Sequence, residues 1–282
     1  MINLSKVTKN YRKTTAIDNL SLVIPDSGIY CLLGRNGAGK TTLLKLIAGH
    51  IGATSGSILV DGRAVSTSRM PEDVAFIETG ASQFDMKVST LIDAAAGLQD
   101  DFDRDFAQEM VMRFDLDINK RFEKLSLGMK SMLTTIITLS KKSKVILLDE
   151  PTLGYDAIMR DQFNTLLLES YAAHPRVIIV STHLIDEIAK VTQRLIIIDK
   201  GSVLIEAGID EIDEKAYTLS GPTQTIQPLL EGLNCIGKTT AGSVMAAHIY
   251  DNRITPPGDV ELSRLSLQDF FINIVTGGKG NV

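Results

Sequence analysis

Apolar and polar positions alternate in short blocks through the opening third of the chain. Residues 2–7, 20–24 and 29–33 are short apolar or alternating runs, which predict strands. A glycine-rich stretch follows the third run. Beyond it Leu43, Leu44, Leu46 and Ile47 recur at helical spacing, which predicts a helix over 41–48 that Gly49 stops. Residues 56–61 and Gly62 predict a further strand and turn. From 71 to 140 the period changes. Residues 91–97, 102–114 and 126–140 repeat with the helical period and strand signals are scarce, so this stretch is a helical insertion. The runs 145–148 and 177–180 then stand between helical patterns at 156–171 and 184–192. Such bounded, wholly apolar runs suit the buried strands of a parallel sheet. Residues 195–199 and 202–207 flank Lys200-Gly201, a hairpin signal.

From 208 the pattern shifts once more. Strand character at 218–219 and 243–248 and a helix over 267–276 predict a small α/β appendage. Ser266, with Asp269 three residues on, is placed to cap that last helix. The expected organisation is an α/β domain over 1–207, with its helical part at 71–140, and an accessory domain over 208–282.

Composition narrows the class. Hydrophobic residues make up 44% of the 282 positions and charged residues 22%, as in ordinary globular proteins. The net charge of −5 argues against nucleic acid as a partner. Two distant cysteines, Cys31 and Cys235, make neither a disulfide framework nor a metal site. Cys31 lies within an apolar run and is expected to be a buried free thiol. The first 13 residues lack the apolar core of a signal peptide, and no stretch approaches 18 uninterrupted apolar residues. Any work at a membrane is therefore expected of a peripheral subunit, soluble when isolated.

The candidate chemistry begins at Gly34-Arg35-Asn36-Gly37-Ala38-Gly39-Lys40-Thr41, which fits the spacing of a phosphate-binding loop. Glycines let the backbone close around phosphates with several N–H groups turned inward. Lys40 reaches the β- and γ-phosphates, the Thr41 hydroxyl is a ligand for Mg²⁺, and Thr42 continues the helix start. The helix that follows directs its positive end at the anion. A second segment, Gly232-Leu233-Asn234-Cys235-Ile236-Gly237-Lys238-Thr239, satisfies the same spacing. Its flanks are reversed, with a helical pattern before it and a strand pattern after it, and bulky residues fill it. It is expected not to bind phosphate.

The apolar run 145–148 ends in Asp149 and Glu150. Open parallel sheets bind ligands at the carboxyl ends of their strands, which brings both acids to the edge that carries the phosphate loop. Asp149 is placed to hold Mg²⁺, and Glu150 to polarise the water that attacks the γ-phosphate. His183 follows the run 176–182 and arrives at the same edge. His50, His174 and His248 have no such setting.

Together these residues resemble the nucleotide-binding domain of ATP-binding cassette (ABC) transporters, over residues 1–207. The resemblance implies an ABC-type P-loop NTPase fold and ATP with Mg²⁺ as ligands. It adds roles for residues that carry no signal alone. Tyr11 matches the aromatic that stacks on adenine. Leu125-Ser126-Leu127-Gly128-Met129 matches the signature motif, keeping Ser126 and Gly128 while Leu127 and Met129 replace a glycine and a glutamine. Asp156 matches the aspartate of the loop that links two active sites. His183 matches the switch histidine. Glu78, at the end of a strand-like run, matches the glutamine-loop residue that senses Mg²⁺, which makes it a metal-site candidate beside Thr41 and Asp149; Gln83 is the other candidate for that position.

The resemblance further implies a second ABC ATPase subunit facing this one head to tail, and an integral-membrane permease docked near residues 78–96 at the cytoplasmic face of the membrane. Glu78 and the short appendage favour an exporter. Two rival readings remain at this level. One is a soluble ABC ATPase of translation or DNA repair, disfavoured by a single cassette, by the absence of sustained heptads and by the acidic charge. The other is a catalytically weak regulatory half of a heterodimer, motivated by Leu127 and Met129.

Overall fold

The computed structural model describes residues 1–25, 27–80, 84–99 and 101–277. In chain order, β1 (Ile2–Tyr11), β2 (Thr14–Ile24) and β3 (Gly28–Leu33) lead to helix α1 (Lys40–Ile47). Strands β4 (Ser55–Val60), β5 (Arg63–Ala64) and β6 (Val74–Glu78) follow. Three helices come next: α2 (Val88–Gly97), α3 (Arg104–Arg113) and α4 (Leu127–Leu139). Then β7 (Val145–Asp149), α5 (Ala157–Ala173), β8 (Val177–Ser181), α6 (Ile185–Ile188), β9 (Arg194–Asp199) and β10 (Ser202–Gly208) complete the first 208 residues. The remainder holds α7 (Ile209–Lys215), β11 (Ala216–Pro222), α8 (Thr223–Leu229), β12 (Cys235–Ala241), β13 (Val244–Tyr250), β14 (Glu261–Arg264) and α9 (Leu267–Thr276).

These strands make three sheets. A six-stranded sheet has the order β10-β9-β3-β8-β7-β6. It is parallel from β9 to β6, and β10 pairs antiparallel with β9. An antiparallel sheet, β2-β1-β4-β5, covers one side. The third sheet, β12-β13-β11-β14, is antiparallel and lies in the C-terminal region.

The central strands are continuously apolar because both of their faces are covered. Successive side chains point to opposite faces, and they enter two different cores. Ile29, Cys31 and Leu33 of β3, with Ile146, Leu148, Ile178 and Val180, join a core formed with the helices. Tyr30 and Leu32, with Val145, Leu147, Val177 and Ile179, join a core under the antiparallel sheet, where α1 buries Leu43, Leu44, Leu46 and Ile47. Gly49 ends α1 with φ +74°, and the N–H of His50 returns to the Lys45 carbonyl at 2.9 Å, a left-handed helix stop.

Three expectations shift. The strand-like run that Glu78 ends is β6, which pairs with β7 in the central sheet although it lies inside the stretch 71–140 expected to be a helical insertion. The helical part therefore begins at Val88. The helix expected over 184–192 is only the four residues of α6. It stops because the chain must drop onto the start of β3, where Gln193 exchanges bonds with both the N–H and the carbonyl of Ile29. The second glycine-lysine-threonine segment forms β12, with no helix after it. A Cβ at Gly237 would overlap the side chain of Asn273 on α9, so that glycine admits a helix and has no part in a phosphate turn. Among the described residues no helix is long and apolar enough to cross a membrane.

Candidate functional site

The carboxyl ends of β3, β7 and β8 lie side by side, as their registers require. From β3 the chain enters the loop 34–39. A Cβ on Gly34 would sit 2.5 Å from the Ile198 carbonyl oxygen, and one on Gly39 2.6 Å from that of Ala16. Gly39 also has φ +107°, a conformation that an L side chain disfavours. The loop is thus pressed against β2 and β9. On its other side it is open: a Cβ at Gly37 would meet nothing within 4 Å. Arg35, Asn36 and Gly37 form the exposed crest, while Ala38 is buried. The Ala38 carbonyl accepts a 3.0 Å bond from Gly201 N–H, in the β9–β10 turn. The Lys40 amine folds back over the loop and donates to the Gly34 carbonyl at 2.8 Å. An open concave backbone under a buried lysine, at the N-terminal end of α1, fits a polyphosphate.

Thr41, with Thr42 beside it, opens α1 and turns its hydroxyl to Asp149, donating to Oδ2 at 2.6 Å. Ser181 donates to Oδ1 at 2.7 Å. Asp149 is 4% exposed and Ser181 is fully buried. A hydroxyl and a carboxylate, both hard oxygen donors, suit Mg²⁺, which binds through one or two protein groups plus substrate phosphates. Among the described residues no cluster of three or more His, Cys, Asp or Glu side chains is placed to hold a metal by itself.

Glu150 takes φ +49°, a left-handed conformation costing roughly 1–2 kcal/mol for a residue with a side chain. Its N–H continues the ladder to the Ser181 carbonyl at 2.9 Å. Its carboxylate meets His183, Oε2 to Nδ1 at 2.9 Å. The imidazole is otherwise open, with 59% of the side chain exposed. The buried Cys31 thiol lies beneath this edge. Burial first, and then the Glu150 charge, push its pKa well above the usual thiol range, so it stays protonated and inert.

The remaining expected residues take their own places. Glu78 ends β6 opposite Asp149 in the register, and its carboxylate is held by Lys45 of α1 at 2.8 Å. Gln83 lies outside the described residues. Tyr11 stands near the tip of the β1–β2 hairpin, 44% exposed, with the Lys9 amine 5.1 Å from its ring centre. Ser126 caps α4, accepting from Met129 N–H at 3.2 Å. Asp156 caps α5, accepting from Met159 N–H at 2.8 Å. Among the described residues, no hydrogen bond joins 126–129 to the phosphate loop. The neighbour of the signature segment is the loop after Glu150: a Cβ at Gly128 would lie 2.7 Å from the Gly154 carbonyl oxygen. Ser131 also donates to the Pro151 carbonyl. A surface cleft of about 960 Å³ between Asp61, Arg63, Glu72 and Lys144 shares no residue with this edge.

Sequence reasoning missed Ser181 and Gly201. A serine ending a strand and a glycine in a hairpin turn carry no ligand signal, and only the strand order brings them to Asp149 and Ala38.

Known proteins extend this picture. The family model described as ABC transporter matches residues 17–153. The chain is 30% identical over 217 residues to the ABC transporter ATP-binding protein YtrB of Bacillus subtilis, covering 76% of this chain and 74% of that protein. It is also 30% identical over 217 residues to the lantibiotic transport ATP-binding protein SrtF of Streptococcus pyogenes, covering 74% of this chain and 92% of the relative. An ATP-binding cassette solved as a dimer in a post-hydrolysis state with ADP and Pi superposes with a TM-score of 0.65 at 21% identity, over 74% of this chain and 99% of that one. The chain belongs to the ATP-binding proteins of ABC transporters, and it is an ATPase with the P-loop fold of that family.

Proposed function

We propose that this ATPase drives an integral-membrane permease in export, as one of two cassettes that close on ATP. The observation that carries the reading is the convergence of Lys40, the Thr41–Asp149 pair and the Glu150–His183 pair on one sheet edge. In this reading Lys40 and the N–H groups of 34–42 hold the phosphates of ATP. Thr41 and Asp149 hold Mg²⁺, which when bound neutralises charge on the β- and γ-phosphates. Glu150 Oε2 accepts a hydrogen bond from the attacking water and orients it in line with the γ-phosphate. His183 contributes by fixing that carboxylate.

Tyr11 takes the adenine by exchanging its Lys9 contact for a base. Glu78, held by Lys45 next to Asp149, senses Mg²⁺ at the same site. Ser126 and Gly128 present the start of α4, and Asp156 the start of α5, to the ATP of the facing subunit. That second subunit is a further ABC ATPase chain, the same or a different one.

The permease docks near residues 78–96, from the end of β6 to α2, at the cytoplasmic face of the membrane. Export rests on Glu78 at the glutamine-loop position and on the short C-terminal appendage; SrtF, a relative, is a lantibiotic transport ATP-binding protein. The test is a Glu150→Gln variant, which keeps the hydrogen bond to His183 but slows hydrolysis. With ATP and Mg²⁺ it is expected to elute as a dimer, and with ADP as a monomer. A variant that stays monomeric with ATP at every workable concentration would sink the sandwich model.

A further inference from the structure

His183 is the least anchored member of the site. It sits in a short turn after β8, where Thr182 Oγ1 accepts from Leu184 N–H at 3.1 Å, and two residues later α6 begins. A four-residue helix has almost no stability of its own. Where α6 lies is therefore decided by what grips it. On one side that is α9, against which Ile185 and Ile188 are buried in a shared core. On the other side it is α5.

The grip from α5 is specific. Arg160 and Asn164 stand one and two turns after Asp156, at i+4 and i+8, and so share a face of the helix. Arg160 Nη1 donates to Glu187 Oε1 at 2.7 Å. Asn164, 8% exposed, donates from Nδ2 to the Glu187 carbonyl oxygen at 3.0 Å. Glu187 is thus held by both its side chain and its backbone. Arg160 and Glu187 border a cavity of about 10 Å³ shared with Thr152 and Thr182, room for about one water. Each leaves one buried atom, Nε and Oε2, without a partner among the described residues.

We infer that Arg160 and Asn164 are positioning residues for His183, acting through Glu187 and α6, and that they couple the imidazole to the helix capped by Asp156. The inference rests on the role proposed above for His183. Any rotation of α5 at its Asp156 end is passed through two polar contacts to the turn that carries the histidine. A surface ion pair contributes little. This one is half-buried and backed by a backbone bond, so its loss is expected to move α6.

The experiment is a cycle of ATP hydrolysis rates on the full chain. Arg160→Ala is expected to lower kcat on the order of 10-fold to 100-fold, the effect of misplacing a reacting group by about 1 Å, with KM for ATP little changed. Arg160→Lys is expected to recover part of the rate. In a His183→Ala background the Arg160→Ala step is expected to cost less than twofold. A full loss in that background, or a change confined to KM, would overturn the inference and leave the role of His183 standing. Normal turnover by His183→Ala would overturn both. Should Arg160→Ala fail to fold, Glu187→Gln tests the same contact. Imidazole nitrogen NMR is then expected to show His183 losing its Glu150 partner, and an unaltered signal would count against the inference.

Discussion

Asp149 is the hinge of the site, and Ser181→Ala probes it with a one-atom change. Ser181 is fully buried and Asp149 nearly so, and the hydroxyl donates to Oδ1 at 2.7 Å. A hydrogen bond to a charged group contributes about 1.5–3 kcal/mol, and here no solvent is present to replace it. The other carboxylate oxygen keeps Thr41 at 2.6 Å, so the loss is confined to one oxygen. The expected destabilisation is about 2 kcal/mol, or a melting temperature lower by about 4–8 °C for a domain of this size. Thr192→Val is the control. Its hydroxyl donates to the neutral Ile188 carbonyl at 2.8 Å, worth about 1 kcal/mol, so its shift should be about half as large. In the presence of ATP and Mg²⁺ the difference should widen. With Thr41 engaged by the metal, Ser181 would be the donor that orients Asp149, and KM for ATP of the variant is expected to rise severalfold. The assay is thermal unfolding with and without nucleotide, followed by steady-state hydrolysis. A melting shift for Ser181→Ala within 1 °C, or no larger than that of Thr192→Val, would refute the claim that Ser181 holds the carboxylate.

Further outcomes follow from other contacts. Lys238→Ala, in the strand that mimics a phosphate loop, should leave the affinity for ATP unchanged, whereas Lys40→Ala should abolish it; both are read by nucleotide titration. Arg176 is buried and donates to the carbonyls of Leu139 and Lys141 and to Ser170, with its pKa lowered by burial to about 10. Arg176→Met strands three acceptors and should cost about 3 kcal/mol in urea unfolding. Burial also lowers the pKa of His248 below its ordinary 6.5. The unfolded chain therefore takes up the proton first, so stability is full above pH 6.5 and falls as the pH drops below it. His248→Gln, which keeps a partner for Thr218, should flatten that part of the pH profile.

The phosphate loop and the acids at 149–150 were legible because their chemistry demands fixed residue types at fixed spacing next to a strand. The central strands were legible because two covered faces force apolar residues at every position. The limits came from contacts between distant elements. Helix α6 looked longer than it is, since a helical period through 184–192 cannot reveal that Gln193 must reach β3. Ser181 and Gly201 gain their meaning from neighbours 32 and 163 positions away, Asp149 and Ala38. The ion pair of Arg160 and Glu187 looks in the sequence like two ordinary surface charges. Tyr11 and Ser126 had only resemblance behind them, and their ligands in the proposed assembly belong to other molecules.

The core around α6 has a consequence for how such chains are trimmed or recombined. Ile185 and Ile188 share one apolar cluster with Ile212, Ala216, Leu265 and Phe270. The C-terminal sheet has only a small cluster of its own, around Tyr217, Ile226 and Ile249. The last 75 residues are thus poor material for a detachable module. A chain cut after 207 would bare an oily flank directly behind its histidine turn.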